Sequence, residues 1–355
     1  MTLNNKPIKI TTDHIFRMTD DTGMLHHSNC GTPDVSRGYT TVDNARALIM
    51  AVKLFDRTHA KSIERLIYKY VSFLANAQNT DGTFRNSMRD NQFSEEKGSE
   101  ECFGRCIWAL CYTYSDLNLP HSINRAVSDL IEKAMSHCMK LTSSRAIAYV
   151  IIGLYYLEQE KTNGYISKLA GSLADHYAHY KNGDWHWFED SLGCCNAALP
   201  WALLIAHKVT KESRYLNIGL ESLQFLESKT FTRNYFKPIG MNGLSYQGSD
   251  SAQFDEQTLE ASETTSAYIE AFLLTKNEMY IDRAKTCFYW YLGKNSKHRT
   301  LLDDKTGGCH DGIEYDRLNP NQGAESIISF WLAYLDIKKY INPKKAADRS
   351  KPIGQ

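Results

Sequence analysis

The chain has 355 residues, and its 41 basic side chains balance its 41 acidic ones. This balance gives no electrostatic reason to expect nucleic acid or an anionic membrane surface as a partner. The N-terminus lacks an apolar run of signal-peptide length, no later run could span a bilayer, and the nine cysteines lack zinc-ribbon spacing. We therefore expect a cytoplasmic protein with reduced thiols, no metal and no cofactor.

Apolar residues recur with helical spacing along most of the chain, and strand-like alternation is scarce. The pattern predicts helices at about 42–57, 61–77, 100–115, 121–139, 144–158, 163–180, 193–208, 212–228, 256–275, 278–292 and 320–340. The helices come in pairs with a loose repeat, which is typical of stacked helical hairpins.

The connections between these helices are of two kinds. Short turns join the two helices of a pair, while longer connections join one pair to the next. The long connections are 23–41, 79–99, 181–192, 229–255 and 293–319. Long loops in a compact domain are more often functional than not.

The first helix of each pair is nearly apolar all round, as in 147–157, and the second carries more charge, as in 121–140. Helices that are apolar on every side are buried, and helices with one polar face lie outside. The chain is therefore predicted to be all-α, a single-domain (α/α)6 toroid over residues 1–355. Residues 1–41 would pack on the barrel, with 12–20 in the sixth outer place, and 341–355 would form a disordered tail.

In such a toroid the starts of the inner helices converge, and the segments at five of the six starts each carry an acid. Capping and the helix dipole explain several of these acids, and Asp255 resembles an N-cap. Capping and the dipole do not explain Glu260 and Glu325 well, because both are predicted in the second helical turn. They also leave Asp43, which is followed by Arg46, without a full explanation. The candidate catalytic acids are Asp43, Glu101, Asp190, Asp255 and Glu260. Converging carboxylates suit hydrolysis of a glycosidic bond.

The segment 184–200 combines two tryptophans with the adjacent acids Glu189 and Asp190. Exposed indole is unfavourable, so the segment is either core or a site where sugar C–H groups stack on the rings. Aromatic candidates for a sugar platform and polar candidates for binding hydroxyls come from several loops. The candidate substrate-binding residues are Tyr39, Arg46, Trp185, Trp187, Tyr246, Gln257, His310, Asp311 and Glu325.

Several motifs together resemble a group of bacterial six-hairpin glycosidases that occur alone or attached to glycosyltransferases. The motifs lie at 11–17, 38–46, 103–105, 187–190, 196–200, 254–257 with 260–261, and 321–326. The resemblance implies an (α/α)6 barrel that acts on mannose- or glucose-containing oligosaccharides. One departure concerns the fourth inner helix, where the group commonly has Asp before Asn-Ala and this chain has Cys195.

The leading interpretation is a glycoside hydrolase acting on a short oligosaccharide, with Asp43 and Asp190 as the first choice of acids. A sugar 2-epimerase on the same toroid would need histidines as acid and base. No inner-helix run has a histidine in its first two turns, which leaves only the loop residues His186 and His310. A non-catalytic carbohydrate-binding protein is a third possibility, which Cys195 allows. A terpene-cyclase-like toroid would need an Asp-rich run that the chain lacks.

Overall fold

The computed structural model describes residues 2–3, 6–7, 10–157, 160–241, 243, 245–249 and 252–341. Most of the described chain is helical. The α-helices are α1 (Asp13–Arg17), α2 (Thr41–Thr58), α3 (Lys61–Ala77), α4 (Glu100–Tyr114), α5 (His121–Ala134), α6 (Ser144–Leu154), α7 (Glu160–Tyr180), α8 (Ala198–Thr210), α9 (Ser213–Thr230), α10 (Thr258–Thr275), α11 (Glu278–Tyr291) and α12 (Ala324–Ile341).

Six of these helices form a closed inner ring. In the order α2, α4, α6, α8, α10 and α12 each contacts the next, and α12 contacts α2. The helices α3, α5, α7, α9 and α11 each pack against the inner helix that precedes them. The inner helix α6 is buried on every side, whereas the outer helix α3 buries one face. This is the burial that the apolar patterns predicted, and the predicted (α/α)6 toroid is confirmed.

The N-terminal segment supplies a short sixth outer element. Ile15 of α1 is buried, and His14 Nε2 lies 2.8 Å from the carbonyl oxygen of Gln322, just before α12. Thr19 Oγ1 lies 2.8 Å from the hydroxyl of Tyr70 on α3. The segment therefore contacts both the connection before α12 and helix α3.

Short antiparallel strands occupy the connections and tie them to one another. The strands are β1 (Thr2–Leu3), β2 (Lys6–Pro7), β3 (Ser28–Asn29), β4 (Thr32–Pro33), β5 (Tyr39–Thr40), β6 (Ser87–Arg89), β7 (Gln92–Phe93), β8 (Ser191–Leu192), β9 (Ser245–Tyr246), β10 (Glu256–Gln257) and β11 (Gly312–Ile313). The ladders are β1–β2, β3–β4, β5–β6–β7, β8–β9 and β10–β11. Three of these ladders join connections that are distant in sequence, which fixes the loops around the helix starts.

Two inner helices begin later than the sequence predicted. Helix α8 starts at Ala198 instead of 193, because Cys195 has a φ of 58°, a left-handed conformation that cannot continue a helix. Helix α12 starts at Ala324 instead of 320, since Asp311 Oδ1 accepts a hydrogen bond from Gly323 N at 2.6 Å and caps the helix there. Glu325 therefore lies in a first turn.

Helix α10 also begins slightly later than predicted, at Thr258, because residues 256–257 pair with β11 as a strand. The N-cap position is Gln257 rather than Asp255, and Glu260 lies in the first turn. Ile341, predicted as the first residue of the tail, is the last residue of α12, and residues 342–355 lie outside the described part of the chain. The single-domain organisation stays a prediction. Across the described ranges, no helix has the length and apolarity that crossing a membrane requires.

Candidate active site

Residues at and around the starts of the inner helices line two cavities. The first, here named the His26 cavity, has a volume of about 240 Å³ and is lined by His26, His27, Asp255, Gln257, Asp311, Gly312, Ile313, Glu314, Asn319, Gly323, Glu325 and Ser326. The second, here named the Cys194 cavity, has a volume of about 360 Å³ and is lined by Glu101, Arg145, Glu189, Ser191, Gly193, Cys194, Met241 and Gly243.

His26 in the first cavity is held by Asp43 of α2. His26 Nδ1 lies 2.7 Å from Asp43 Oδ2, and Thr40 Oγ1 donates to the same oxygen at 2.6 Å. The hydrogen bond to Asp43 raises the pKa of His26 above its usual 6.5. Burial alone would raise the pKa of Asp43, but the hydrogen bond from His26 brings it below 3.8. Asp43 is only 3% exposed, so it orients the imidazole, whose Nε2 is left for a ligand.

His27 lies beside His26, with ring centroids 4.4 Å apart and an interplanar angle of 65°. Burial, and then the charge of His26, lowers the pKa of His27 below 6.5. The pKa values of these two neighbouring imidazoles therefore move in opposite directions. Such a pair provides a protonated acid and a neutral base at the same pH.

Carboxyl groups from other elements complete the His26 cavity. Burial raises the pKa of Glu325, in the first turn of α12, against the opposing charge of Arg46. Asp311 caps α12 through Gly323 N and also accepts a hydrogen bond from Ser326 Oγ at 2.7 Å. The predicted residues Asp255, Gln257, Asp311 and Glu325 are thus brought into one cavity, with Asp43 behind His26.

The Cys194 cavity is built around an ion pair. Arg145 Nη1 lies 2.7 Å from both carboxylate oxygens of Glu189, and Arg145 Nε donates to the Cys194 carbonyl oxygen at 2.5 Å. A hydrogen bond from Cys195, together with the charge of Arg145, lowers the pKa of Cys194 to about 7. Glu101, one of the predicted acids, also lines this cavity.

A buried polar network lies between inner helices at the barrel centre. Arg105 Nη1 lies 3.2 Å from Glu263 Oε1, which also accepts a hydrogen bond from the Tyr149 hydroxyl at 2.7 Å. Arg105 Nη2 donates to Cys195 Sγ at 2.9 Å. Glu260 accepts a hydrogen bond from the Cys195 amide, and burial raises the pKa of Glu260 to about 8. Glu260 lines neither cavity, and its carboxylate supports the chain before α8.

Three of the four aromatic residues expected to form a sugar platform lie in the core, so the prediction is wrong for those three. Trp185 is 6% exposed and Trp187 is fully buried, with ring centroids 5.1 and 5.9 Å from that of Phe225. Tyr39 is buried, and its hydroxyl group donates a hydrogen bond to Asp20. Packing against Phe225 therefore explains the tryptophans of this segment.

Two more of the predicted site residues, which lie near the Cys194 cavity, face solvent. Asp190 is exposed, lines neither cavity and accepts a hydrogen bond from its neighbour Ser191 at 3.0 Å, while Glu189 faces the cavity. Tyr246 is 50% exposed and stands opposite Ser191 in the β8–β9 ladder. The first-choice acids Asp43 and Asp190 therefore do not face a common cavity.

Arg46 and His310 have structural partners. Arg46 is buried, and its Nη2 donates to Ser329 Oγ at 2.6 Å, which joins α2 to α12. His310 Nδ1 lies 2.8 Å from the carbonyl oxygen of Asn319, a residue that lines the His26 cavity. His310 thus supports the cavity wall, and neither side chain lines the cavity itself.

His26 and His27 were not predicted, because only His186 and His310 were named among the loop histidines. A signal was present: the two adjacent histidines lie in the long connection 23–41, which precedes the first inner helix. In a toroid such a connection leads to the same end as the inner-helix starts, and two adjacent histidines there indicate acid–base chemistry.

Comparison with protein-family models found no match, and comparison with curated protein sequences found none either. Solved structures do match. A sugar epimerase from a ruminal bacterium has a TM-score of 0.72 at 12% identity, covering 97% of this chain and 98% of its own. D-mannose isomerase has a TM-score of 0.69 at 14% identity, covering 92% and 95% of the two chains.

A third solved structure is the GH76A alpha-1,6-mannanase from Salegentibacter sp. HEL1_6. Its TM-score is 0.62 at 12% identity, with 93% of this chain and 96% of the mannanase covered. Identities this low carry the fold and not the activity. The fold is the (α/α)6 barrel that the sequence predicted, and solved structures that share it include a sugar epimerase and a mannanase.

Proposed function

We propose that this protein transfers a proton between C1 and C2 of a reducing sugar, as an aldose–ketose isomerase or a sugar 2-epimerase. The observation that carries the proposal is the His26–His27 pair, adjacent in one cavity and with pKa values moved in opposite directions. Proton transfer next to a carbonyl needs a base for the carbon-bound proton and an acid for the oxygen. The pair fits both roles.

In the proposed reaction the open-chain aldose places C1 and C2 beside the two imidazoles. Neutral His27 takes the proton from C2, while protonated His26 gives its proton to the C1 oxygen, which yields an enediol. His27 then returns its proton to C1, and His26 takes the proton of the C2 hydroxyl, which gives the ketose and restores both residues. For the epimer, Glu325 is the candidate donor of a proton to the other face of C2, while His26 takes back the proton of the C1 hydroxyl. His27 then releases its proton to water and Glu325 takes one from water, which restores all three residues.

The names of structural neighbours support a sugar as the substrate. Among the solved structures with this fold are a sugar epimerase and D-mannose isomerase, which cover nearly all of the chain. No Lys or Arg side chain lines the described His26 cavity, which suits an uncharged sugar better than a phosphorylated one. A cytoplasmic location and reduced cysteines remain part of the proposal.

The experiment that tests this function is incubation of the purified protein with mannose, glucose and their disaccharides in D2O, followed by NMR. We expect an isomeric sugar to form with solvent deuterium at C1 or C2, because a histidine proton exchanges before it returns. No glycosidic bond should break. Cleavage without deuterium uptake at carbon would refute isomerisation, and sugar binding without any turnover would indicate a non-catalytic binding protein.

The pH dependence of kcat/KM is expected to be bell-shaped. His27 must be neutral, so activity is lost as the pH falls through its pKa, which lies below 6.5. His26 must be protonated, so activity is lost as the pH rises through its pKa, which lies above 6.5. In Asp43→Asn the alkaline limb should move to lower pH. Initial rates between about pH 4 and about pH 9 measure both limbs, and an unmoved alkaline limb would contradict the assignment.

Glycoside hydrolysis is the second candidate, and one observation favours it. Glu325 has a raised pKa and shares the His26 cavity with Asp255, so a proton donor and a second carboxyl group are both available. A mannanase shares the fold. The test is release of reducing ends from alpha-1,6-linked mannose oligosaccharides, which Glu325→Gln should abolish if this candidate is correct.

A further inference from the structure

Two aromatic residues that are in contact with each other are chain neighbours of residues that line the His26 cavity. Phe254 precedes the lining residue Asp255, and Tyr315 follows the lining residue Glu314. Their ring centroids are 5.7 Å apart with an interplanar angle of 83°. Phe254 is half-buried, whereas Tyr315 is 79% exposed. Tyrosine is enriched at binding interfaces, because its ring is apolar and its hydroxyl is polar.

Tyr315 is held in position by its backbone. It lies in a turn in which Glu314 N donates to the Arg317 carbonyl oxygen at 2.8 Å, and Arg317 Nε lies 2.6 Å from Glu314 Oε2. The turn continues β11, which pairs with β10, and Lys297 Nζ donates to the Tyr315 carbonyl oxygen. The place of the tyrosine relative to the cavity is therefore fixed by contacts on both sides.

Lys297 adds a polar group to this aromatic pair. Its Nζ lies 5.1 Å from the ring centroid of Phe254 and 5.7 Å from that of Tyr315. A sugar presents C–H groups on its ring faces and hydroxyl groups at its edge. An exposed tyrosine ring with an ammonium donor beside it matches both kinds of group.

The size of the cavity shows how much of a ligand it encloses. Its volume of about 240 Å³ lies below the roughly 300–1,000 Å³ of sites that enclose drug-sized ligands. One sugar ring fits such a volume, and a second ring joined to it must lie outside. Phe254 and Tyr315, whose rings are in contact, are the chain neighbours of the lining residues Asp255 and Glu314.

We propose that Tyr315, supported by Phe254 and Lys297, forms a second subsite that binds the next sugar ring of an oligosaccharide. The reducing sugar occupies the His26 cavity, and its neighbour stacks on Tyr315. The inference rests on the proposed function in one respect, namely that a reducing sugar binds in the His26 cavity. The preferred substrate is then a disaccharide or a longer oligosaccharide of uncharged sugars.

Calorimetric titration with glucose, cellobiose, mannose and mannobiose tests the subsite. In Tyr315→Ala the affinity for the disaccharides, relative to the monosaccharides, should fall about 3- to 10-fold, the range expected for loss of one aromatic stacking contact. Tyr315→Phe keeps the ring and should keep the wild-type preference. Tyr114→Ala, which removes another exposed tyrosine at the last residue of α4, should leave both affinities unchanged.

The binding readout separates the two proposals. Equal changes for mono- and disaccharides in Tyr315→Ala, or no change, overturn the subsite, as does a wild-type protein that binds neither sugar. Disaccharide binding that depends on Tyr315 in a protein that forms no isomer supports the subsite and refutes only the proposed isomerisation. A folded Tyr315→Phe variant with lost preference would also overturn the stacking interpretation.

Discussion

Replacement of His26 by glutamine is expected to lower kcat/KM for sugar isomerisation by about 10²- to 10⁴-fold, the usual contribution of a positioned acid–base group. Glutamine retains a hydrogen-bonding amide for Asp43 but cannot carry the proton that the C1 oxygen receives. The His26–Asp43 contact of 2.7 Å and the raised pKa of His26 are the basis of this expectation. NMR detection of the isomeric product measures the rate.

The matched control for this variant is His121→Gln. His121 is exposed at the start of the outer helix α5, and its replacement should leave the rate unchanged. Thermal unfolding of His26→Gln shows whether the variant is folded. A folded His26→Gln protein with wild-type kcat/KM would remove His26 from the mechanism and leave Glu325 as the remaining candidate acid.

The second large effect concerns stability. Arg105→Leu is expected to lower the free energy of unfolding by about 3–5 kcal/mol, because it leaves the buried Glu263 carboxylate without its ion-pair partner. Both side chains are 4% exposed, and their charged atoms are 3.2 Å apart. The variant also removes the contact of Arg105 with the Cys195 sulfur and the packing of its guanidinium 4.2 Å from the Tyr149 ring centroid. Urea unfolding followed by circular dichroism measures the change.

Two comparisons show whether burial is the cause of this loss. Lys181→Ala breaks the Lys181–Glu221 pair, in which each side chain is 38% exposed, and should cost less than about 1 kcal/mol. The double variant Arg105→Leu with Glu263→Leu should recover much of the loss, since no unpaired charge then remains buried. A loss of similar size in the exposed and buried variants would contradict this explanation.

The fold followed from the sequence because each helix of a toroid carries the apolar pattern that its layer requires. Helix α6 has apolar residues on all sides, and α3 has them on one face, so the pattern alone distinguishes the inner layer from the outer one. Helix starts were predicted less well. The left-handed conformation of Cys195 and the capping of Gly323 by Asp311 depend on tertiary contacts, which periodicity does not contain.

The site was predicted in part. Asp255, Gln257 and Glu325 follow from the rule that inner-helix starts converge, and Asp311 was predicted from a turn in the long connection 293–319. The structure places all four in one cavity. The direction of a side chain in a loop could not be predicted in the same way. The side chains of the two adjacent acids have different surroundings, because Glu189 pairs with Arg145 while Asp190 is exposed to solvent.

Which aromatic side chains are buried and which are exposed could not be predicted from the sequence either. Composition drew attention to Trp185 and Trp187, yet both pack on Phe225 inside the protein. The ring that is exposed beside the His26 cavity is Tyr315, in a turn without any distinctive motif. Which aromatic group meets solvent depends on the packing of neighbouring helices, and sequence composition does not specify that packing.

Closure of the helical ring has a consequence for how the protein matures during synthesis. The contacts that close it, Arg46 with Ser329 and Lys53 with Asp336, join residues 283 positions apart. A chain emerging from the ribosome has made five inner helices before α12 appears, so one side of α2 stays uncovered until the end. Glu325 also arrives with α12, so the His26 cavity is the last part of the barrel to form. Until α12 is made, α2 lacks the partner that covers one of its sides.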